Sequence, residues 1–299
     1  MPDSSSELLA PTLSPLREVI ARHKLSARKS LGQNFLLDMN LTHRIARQGG
    51  DLSTGTVIEI GPGPGGLTRA LLAEGARHVI AIERDERCLA ALDELAQAFP
   101  GRLTLINDDA LTLDLKTLGT ERPWRIIANL PYNIATALLL KWLEGGIDSY
   151  ECLVLMFQKE VAERIGAKPG GKSYGRLSVM AQWLCTVEML FDINPSAFTP
   201  APKVTSRLIA LHPRSEPLAP AKADILKHVV KTAFSQRRKM LRSALKGLDV
   251  DVAVLLESAG IKPTDRAETL DVESFCRFAR VYESLKQAAP PATAPDKAL

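Results

Sequence analysis

The sequence lacks several features that define large classes of proteins. No apolar run in its 299 residues approaches the roughly 18 that a membrane-spanning helix needs, so the pattern indicates a soluble chain. The amino terminus has no basic start followed by an apolar core, which argues against secretion and for the cytoplasm. The four cysteines include no CxxC pair and the five histidines are scattered, so we expect reduced thiols and no metal site.

The chain has enough apolar material for one sizeable core and a smaller second unit. Hydrophobic residues make up 45% of it and charged residues 24%, and the net charge is only +4. These values are typical of a globular protein of this length. Because the overall charge is mild, any contact with nucleic acid must depend on where the basic residues cluster.

The segment from Thr56 to Thr68, TVIEIGPGPGGLT, is the most informative local pattern. A short apolar run is followed by the glycine and proline residues from Gly61 to Gly65, and a helix-like pattern then resumes from Gly66. This order predicts a strand, a tight turn and a helix. Glycines in such a turn let a ligand approach the main chain at the carboxyl edge of a parallel strand, where nucleoside-containing molecules bind.

The type of nucleoside depends on the prolines of this turn. Pro62 and Pro64 remove two of the backbone N–H donors that a diphosphate needs, which favours S-adenosylmethionine over a dinucleotide. Glu83 ends the next apolar strand 22 positions after Gly61, a separation typical of an acid that binds ribose hydroxyls. NAD enzymes share this spacing, so the turn and the acid alone leave both cofactors possible.

Strand and helix patterns alternate through the first two hundred residues, which predicts a parallel sheet with right-handed crossovers. The third strand ends in Asp108 and Asp109, beside the expected position of an adenine. Beyond a proline-rich link the pattern becomes wholly helical. We therefore predict an α/β fold with a seven-stranded Rossmann-like domain that is followed by a small all-helical domain. The predicted segments are a disordered extension (1–22), the Rossmann-like domain (23–213), a helical domain (221–285) and a disordered tail (286–299).

The fourth strand ends in the sequence NLPY, from Asn129 to Tyr132. The exocyclic amine of a nucleobase is a poor nucleophile, and its methylation requires acceptors for both N–H groups. The Asn129 side chain can be one acceptor, and the Leu130 carbonyl the other, because Pro131 favours an extended backbone before it. Tyr132 offers an aromatic face on which an extruded base can stack.

Two basic segments are candidate RNA contacts. The first, from Arg17 to Lys29, is either a solvated helix end or an arm that binds phosphates. The second, from Ile225 to Leu248, has no acidic residue and an apolar stripe at helical spacing. The missing acids favour contact with nucleic acid over a merely solvated face. Its cations are Lys227, Lys231, Arg237, Arg238, Lys239, Arg242 and Lys246.

These motifs together resemble a known family. KSLGQNFL, EIGPGPGGLT, AIERD, DDAL, NLPYNI, KSYGRLS, FTPAPKVTS and AFSQRRKMLR occur in the order and spacing of the small-subunit ribosomal RNA adenine dimethyltransferases, the KsgA type. The resemblance covers roughly residues 23–285, and it implies that the Rossmann-like domain is an S-adenosylmethionine-binding methyltransferase domain and that the helical domain contacts RNA. It implies transfer of four methyl groups from S-adenosylmethionine to two adjacent adenines in a hairpin loop near the 3′ end of small-subunit (16S) rRNA, by a monomer acting on a partly assembled subunit.

The resemblance also assigns site residues. It implies that Asn34 and Leu36 close over the cofactor, that Gly61 lies against its methionine part and that Glu83 binds its ribose. It further implies that Asp109 binds the adenine amine, that Asn129 lies between cofactor and target, and that Phe198 packs against the flipped adenine opposite Tyr132.

The sequence also suggests three alternative functions: an ATPase, an enzyme with a nucleophile elbow, and an RNA-binding assembly factor. GAKPGGKS, from Gly166 to Ser173, matches the phosphate-loop pattern, and GKSYG, from Gly171 to Gly175, matches a nucleophile elbow. Both motifs require a preceding strand, whereas a helix pattern precedes them here. We interpret GKSYG as a mobile loop near the substrate entrance, with Lys172 and Arg176 available to phosphates. The third alternative is an RNA-binding ribosome assembly factor in which catalysis is secondary.

Overall fold

The computed structural model describes residues 13–146, 148 and 150–288. The chain divides into two compact units. The first comprises the chain up to Ala162 together with Val187–Pro213, and the second comprises Glu163–Thr186 and the chain from Arg214 onward. No helix in these described ranges is long and apolar enough to cross a membrane.

Nine strands are assigned within the described residues. Two short strands pair with each other, and seven form one sheet in the order β4-β3-β2-β5-β6-β9-β7. The strands are β1 (Phe35–Leu36), β2 (Thr56–Ile60), β3 (Val79–Ile82), β4 (Leu103–Ile106), β5 (Trp124–Ala128), β6 (Tyr150–Gln158), β7 (Cys185–Ile193), β8 (Phe198–Thr199) and β9 (Ser206–Pro213). The seven-stranded sheet predicted from the sequence is confirmed.

The helices alternate with the strands in the first unit and follow one another in the second. They are α1 (Leu16–Arg22), α2 (Met39–Ala46), α3 (Gly66–Ala73), α4 (Glu86–Ala98), α5 (Tyr132–Glu144), α6 (Lys159–Ile165), α7 (Arg176–Leu184), α8 (Ala223–Ser235), α9 (Leu241–Ala244), α10 (Val252–Ser258) and α11 (Val272–Ala288).

The central strands run parallel and are buried. β2 pairs in parallel with β3 and β5, and β3 pairs in parallel with β4. Every residue of β2, β3 and β5 is buried, as expected for strands covered by helices on both faces. The antiparallel strand β9 lies between β6 and β7. The carboxyl ends of β2 to β5 therefore share one edge of the sheet, where the loops that follow them meet.

The predicted disorder over residues 1–22 is wrong for residues 16–22. Helix α1 occupies this segment, and Leu16 and Val19 are buried one turn apart. Val19 belongs to a core cluster with Cys88 and Leu92, so tertiary packing stabilises a helix of only seven residues. The predicted disordered tail is likewise wrong for residues 286–288, which belong to α11. Residues 1–12 and 289–299 lie outside the described residues.

The basic run near the amino terminus also has structural partners. Arg22 forms an ion pair with Glu94 at 2.9 Å, and His23 contacts the same carboxylate at 2.6 Å. These contacts attach the end of α1 to α4. The Arg22 ion pair accounts for one of the cations of the predicted phosphate-binding arm.

The segment 163–186 belongs to the second unit, although the sequence placed it in the methyltransferase domain. The Gly170 N–H donates to the Glu268 carbonyl at 2.7 Å, and Arg237 donates to the Gly171 carbonyl at 3.3 Å. Tyr174 is fully buried and its ring meets that of Phe234. The boundary prediction failed because these contacts join parts of the chain that are far apart in sequence.

Candidate active site

A cleft opens at the carboxyl edge of the parallel strands in the first unit. Its open space is about 1060 Å³, including solvent at its mouth. Loops after β2, β3, β4 and β5 contribute to its walls, as does the segment that leads into β1. Eight of the nine site residues predicted from the sequence line it: Asn34, Leu36, Gly61, Glu83, Asp109, Asn129, Leu130 and Tyr132.

The glycine turn after β2 forms part of the cleft wall. Gly61, Gly63 and Gly65 have φ angles of 67°, 55° and 89°, so each occupies the left-handed region that glycine adopts at little cost. A Cβ atom on Gly63 would lie 3.1 Å from the Phe35 ring. The turn therefore allows a ligand to approach bare main chain, and its two prolines offer no N–H to a phosphate.

Glu83 lies at the carboxyl end of β3 and is 6% exposed. Its carboxylate accepts the Gly63 N–H at 3.0 Å and the Asp85 N–H at 2.8 Å. Burial raises the pKa of Glu83, while these two N–H donors act in the opposite direction. The remaining lone pairs of the carboxylate are available to hydroxyl donors in the cleft.

Asp109 follows β4 and is partly buried in the cleft wall. One carboxylate oxygen accepts the Leu111 N–H at 2.9 Å, and the other binds Arg84 at 3.0 Å. The Arg84 side chain is 69% exposed, so this ion pair lies at the solvent boundary and stabilises the fold little. The carboxylate can therefore exchange its cationic partner for another N–H donor.

Gln33 connects the segment before β1 to the end of β3. Its amide oxygen accepts the Arg28 N–H at 2.9 Å, and its amide nitrogen donates to Asp85 at 2.9 Å. Hydrogen bonds from Arg87, and to a lesser degree from Gln33, lower the pKa of Asp85. The ionised carboxylate thus holds Gln33, which precedes Asn34 in the chain.

Asn129 and Leu130 present two acceptors at the end of β5. The Asn129 amide nitrogen donates to the Asn34 carbonyl at 3.0 Å, which directs its oxygen away from that contact. Among the described residues, no donor binds the Asn129 side-chain oxygen or the Leu130 carbonyl. Both oxygens therefore remain available to the two N–H groups of an amine in the cleft.

Tyr132 begins α5, and its ring lines the cleft beside these acceptors. Its hydroxyl is hydrogen-bonded to Ser206 of β9, and burial raises its pKa. This contact fixes the ring of Tyr132 in place. No local sequence pattern points to Ser206, because the contact joins residues 74 positions apart.

Phe198 is the exception among the predicted site residues. It does not line the cleft, and at 3% exposed it belongs to the core of the first unit. Its strand β8 pairs with β1, with Phe198 opposite Leu36. In this structure the Phe198 ring is therefore buried beside Leu36, and its position opposite Tyr132 stays a prediction.

The rejection of a phosphate loop agrees with the structure. Gly166 follows α6 directly, so a helix and not a strand leads into the GAKPGGKS segment. The five residues of GKSYG likewise come after a helix and before α7. Neither segment has the strand-to-helix turn that its motif requires.

Comparison with known sequences is consistent with these features. The family model described as ribosomal RNA adenine dimethylase matches residues 24–284. The ribosomal RNA small subunit methyltransferase A of Rhodospirillum rubrum is 58% identical over 282 residues, which cover 94% of this chain and 97% of that protein. Its counterpart from Paramagnetospirillum magneticum is 61% identical over 272 residues, which cover 91% and 96%.

Solved structures give the same result. A dimethyladenosine transferase from Plasmodium falciparum has a TM-score of 0.73 and 25% identity, with 84% of this chain and 98% of that chain covered. The 23S rRNA methyltransferase ErmE has a TM-score of 0.64 and 27% identity, with 84% and 100% covered. The family match, the relatives and the cleft at the glycine turn agree, and this chain belongs to the ribosomal RNA adenine dimethylase family.

Proposed function

We propose that this chain transfers methyl groups from S-adenosylmethionine to the exocyclic amines of two adjacent adenines near the 3′ end of small-subunit (16S) rRNA. The observation that carries the proposal is the pair of available acceptors, the Asn129 side-chain oxygen and the Leu130 carbonyl, in the same cleft as the glycine turn. The acceptor RNA is taken from the small-subunit methyltransferases that this chain resembles over more than nine-tenths of its length. Such a substrate places the reaction in the cytoplasm, during maturation of the small subunit.

The cleft fits S-adenosylmethionine better than a dinucleotide. Its wall holds the buried Glu83 carboxylate, suited to two ribose hydroxyls, and the partly buried Asp109 carboxylate, suited to the adenine amine. The glycine turn allows the methionine part to lie close to Gly61, and the segment from Asn34 to Leu36 covers it. Pro62 and Pro64 leave no run of N–H donors for a diphosphate. The cofactor supplies an electrophilic methyl group on its sulfonium.

The chain then has to orient the target amine. In adenine the amine lone pair is delocalised into the ring. When the Asn129 oxygen and the Leu130 carbonyl accept the two N–H groups, the lone pair is directed toward the methyl donor. Correct positioning supplies most of the acceleration in such a site. No general base is required, because the methylated ammonium releases its proton readily to solvent.

Tyr132 provides the face on which the extruded adenine stacks. Its ring is already fixed by the hydrogen bond to Ser206, so stacking orders few additional degrees of freedom. The matching role of Phe198 stays a prediction, and it requires this ring to leave the core when RNA binds.

The second unit provides the cations for RNA phosphates. The basic stretch is split into α8 and α9 by a turn at residues 236–240. Arg237 pairs there with Glu268 at 2.8 Å, so its role is structural. The remaining cations of this turn and its flanks are exposed and have no ion pair within the described residues: Lys231, Arg238, Lys239, Arg242 and Lys246. We propose that they bind the RNA backbone of a partly assembled subunit, with the enzyme acting as a monomer.

The test is transfer of labelled methyl groups to small subunits that lack this modification. We expect incorporation approaching four methyl groups per subunit for the wild type and none for Asn129→Ala. The affinity of Asn129→Ala for the subunits should be nearly unchanged. If wild-type protein binds the cofactor but modifies no subunit, the assigned acceptor is wrong. If the wild type and Asn129→Ala bind subunits and promote their maturation equally well, the protein is an assembly factor in which catalysis is secondary.

A further inference from the structure

Lys141 makes an unusual set of contacts within the first unit. It lies on α5, and its side-chain ammonium donates hydrogen bonds to three backbone carbonyls of one loop. The acceptors are the carbonyls of Ala110 at 3.0 Å, Leu111 at 2.8 Å and Leu113 at 2.6 Å. An ammonium group has three donors, so this arrangement uses all of them.

The loop that Lys141 binds is the one that follows Asp109. Ala110 and Leu111 line the cleft together with Asp109. The Leu111 N–H in turn donates to the Asp109 carboxylate at 2.9 Å. The position of this carboxylate therefore depends on the path of residues 110–113, and hydrogen bonds to a charged donor are the strong ones in this loop.

The contact also connects two parts of the cleft. Tyr132, the proposed stacking platform, is the first residue of α5, and Lys141 lies on the same helix. A second lysine, Lys116, donates to the Gly145 carbonyl at 2.5 Å just beyond the end of α5. Lys116 does not line the cleft and contacts none of the carbonyls of residues 110–113. Both lysines therefore donate to backbone carbonyls, but only Lys141 binds the loop that lines the cleft.

We infer that Lys141 is a positioning residue that holds the loop after Asp109 in the shape that selects the adenine base of the cofactor. The inference rests on the proposed function, in which Asp109 accepts the adenine amine. Without the ammonium, three carbonyls would lose their donor and the loop would move toward solvent. The Asp109 carboxylate would then no longer be fixed opposite the amine.

The experiment compares two ligands that differ at this amine. S-adenosylhomocysteine carries the amine, and S-inosylhomocysteine carries a carbonyl oxygen in its place. Binding of both is measured by calorimetry for the wild type, Lys141→Met, Lys141→Gln and the control Lys116→Met. We expect the wild type to prefer the adenosyl ligand by about tenfold or more, as for a hydrogen bond to a charged group. Lys141→Met should lose most of this preference, Lys141→Gln part of it and Lys116→Met none.

Loss of selectivity separates positioning from general destabilisation. A variant that is only less stable binds both ligands more weakly, and the ratio of their affinities stays at the wild-type value. If the wild type itself shows no preference, the role of Asp109 in the proposed function is wrong. If the wild type prefers the adenosyl ligand and folded Lys141→Met or Lys141→Gln keeps the full preference, the role of Lys141 is wrong.

Discussion

The side-chain amide of Asn129 donates to the main-chain carbonyl of Asn34 at 3.0 Å, although 95 positions separate the two residues in the chain. This hydrogen bond joins the end of β5 to the segment that leads into β1. It determines which atom of the amide faces the segment and which one remains for a substrate. The orientation of the proposed acceptor thus depends on a residue from a different part of the sequence.

Asn129→Asp tests this relationship. The substituted side chain keeps an acceptor of the same size, but it loses the N–H and places a negative oxygen against the Asn34 carbonyl. We expect the rate of methyl transfer to fall by about 10²-fold or more, as when a preorganised hydrogen bond is removed from an active site. Single-turnover transfer at saturating cofactor is the measurement. A rate close to that of the wild type would show that the Asn34 contact does not orient the acceptor.

Gly66→Ala should disturb the cofactor side of the cleft. A Cβ atom at Gly66 would lie 2.5 Å from the Leu36 carbonyl oxygen and 3.1 Å from a methyl group of Leu16. We expect a loss of about 1–3 kcal/mol in the free energy of unfolding, together with weaker cofactor binding. Urea unfolding and calorimetry measure the two effects. Gly247→Ala is the control, because a Cβ atom there meets nothing within 4 Å.

Glu59 should make stability depend on pH. The side chain is 2% exposed, and burial raises its pKa from 4.5 to about 8. Between these two values the folded protein retains a proton that the unfolded chain releases, so the free energy of unfolding falls as pH rises. The slope is at most about 1.4 kcal/mol per pH unit, and it should be absent from Glu59→Gln. Parallel urea-unfolding curves for the two proteins from pH 5 to pH 8 would contradict this prediction.

Two adjacent arginines of the second unit should behave differently. Arg238 is exposed, whereas Arg237 is paired with Glu268. We expect Arg238→Ala to weaken RNA binding, to lower the slope of log affinity against log salt by about one, and to leave the thermal midpoint unchanged. Arg237→Ala should lower the thermal midpoint. RNA affinity is measured at several salt concentrations with the RNA fragment or subunit that the wild type methylates. If the slope of log affinity against log salt is the same for the wild type and Arg238→Ala, Arg238 does not contact the RNA.

Local motifs account for most of the fold that could be predicted. The glycine turn, the acid after β3 and the NLPY segment each combine an apolar strand with turn-forming residues, so their positions follow from periodicity and backbone preference alone. Seven strands and their α/β alternation follow for the same reason. Helix α1 was missed because seven residues form a stable helix only when Leu16 and Val19 find a surface to cover.

The remaining parts of the site depend on long-range contacts. The Ser206 partner of Tyr132 lies 74 positions away, and the carbonyls bound by Lys141 lie 28 to 31 positions away. No local pattern identifies such partners. Phe198 differs from these residues because a family motif did suggest a role for it. Its burial, however, depends on the pairing of β8 with β1, which that motif does not show.

The alternation of glycine and proline from Gly61 to Gly65 also has a kinetic consequence. Each proline has a fixed φ, each glycine is in the left-handed region, and the Gly65 N–H closes the turn on the Pro62 carbonyl at 3.0 Å. The two prolines and this hydrogen bond order the turn in the folded protein, so the entropy of ordering its glycines is lost during folding and not when a ligand arrives. The turn should therefore capture its ligand in one step, without a slow rearrangement before or after encounter.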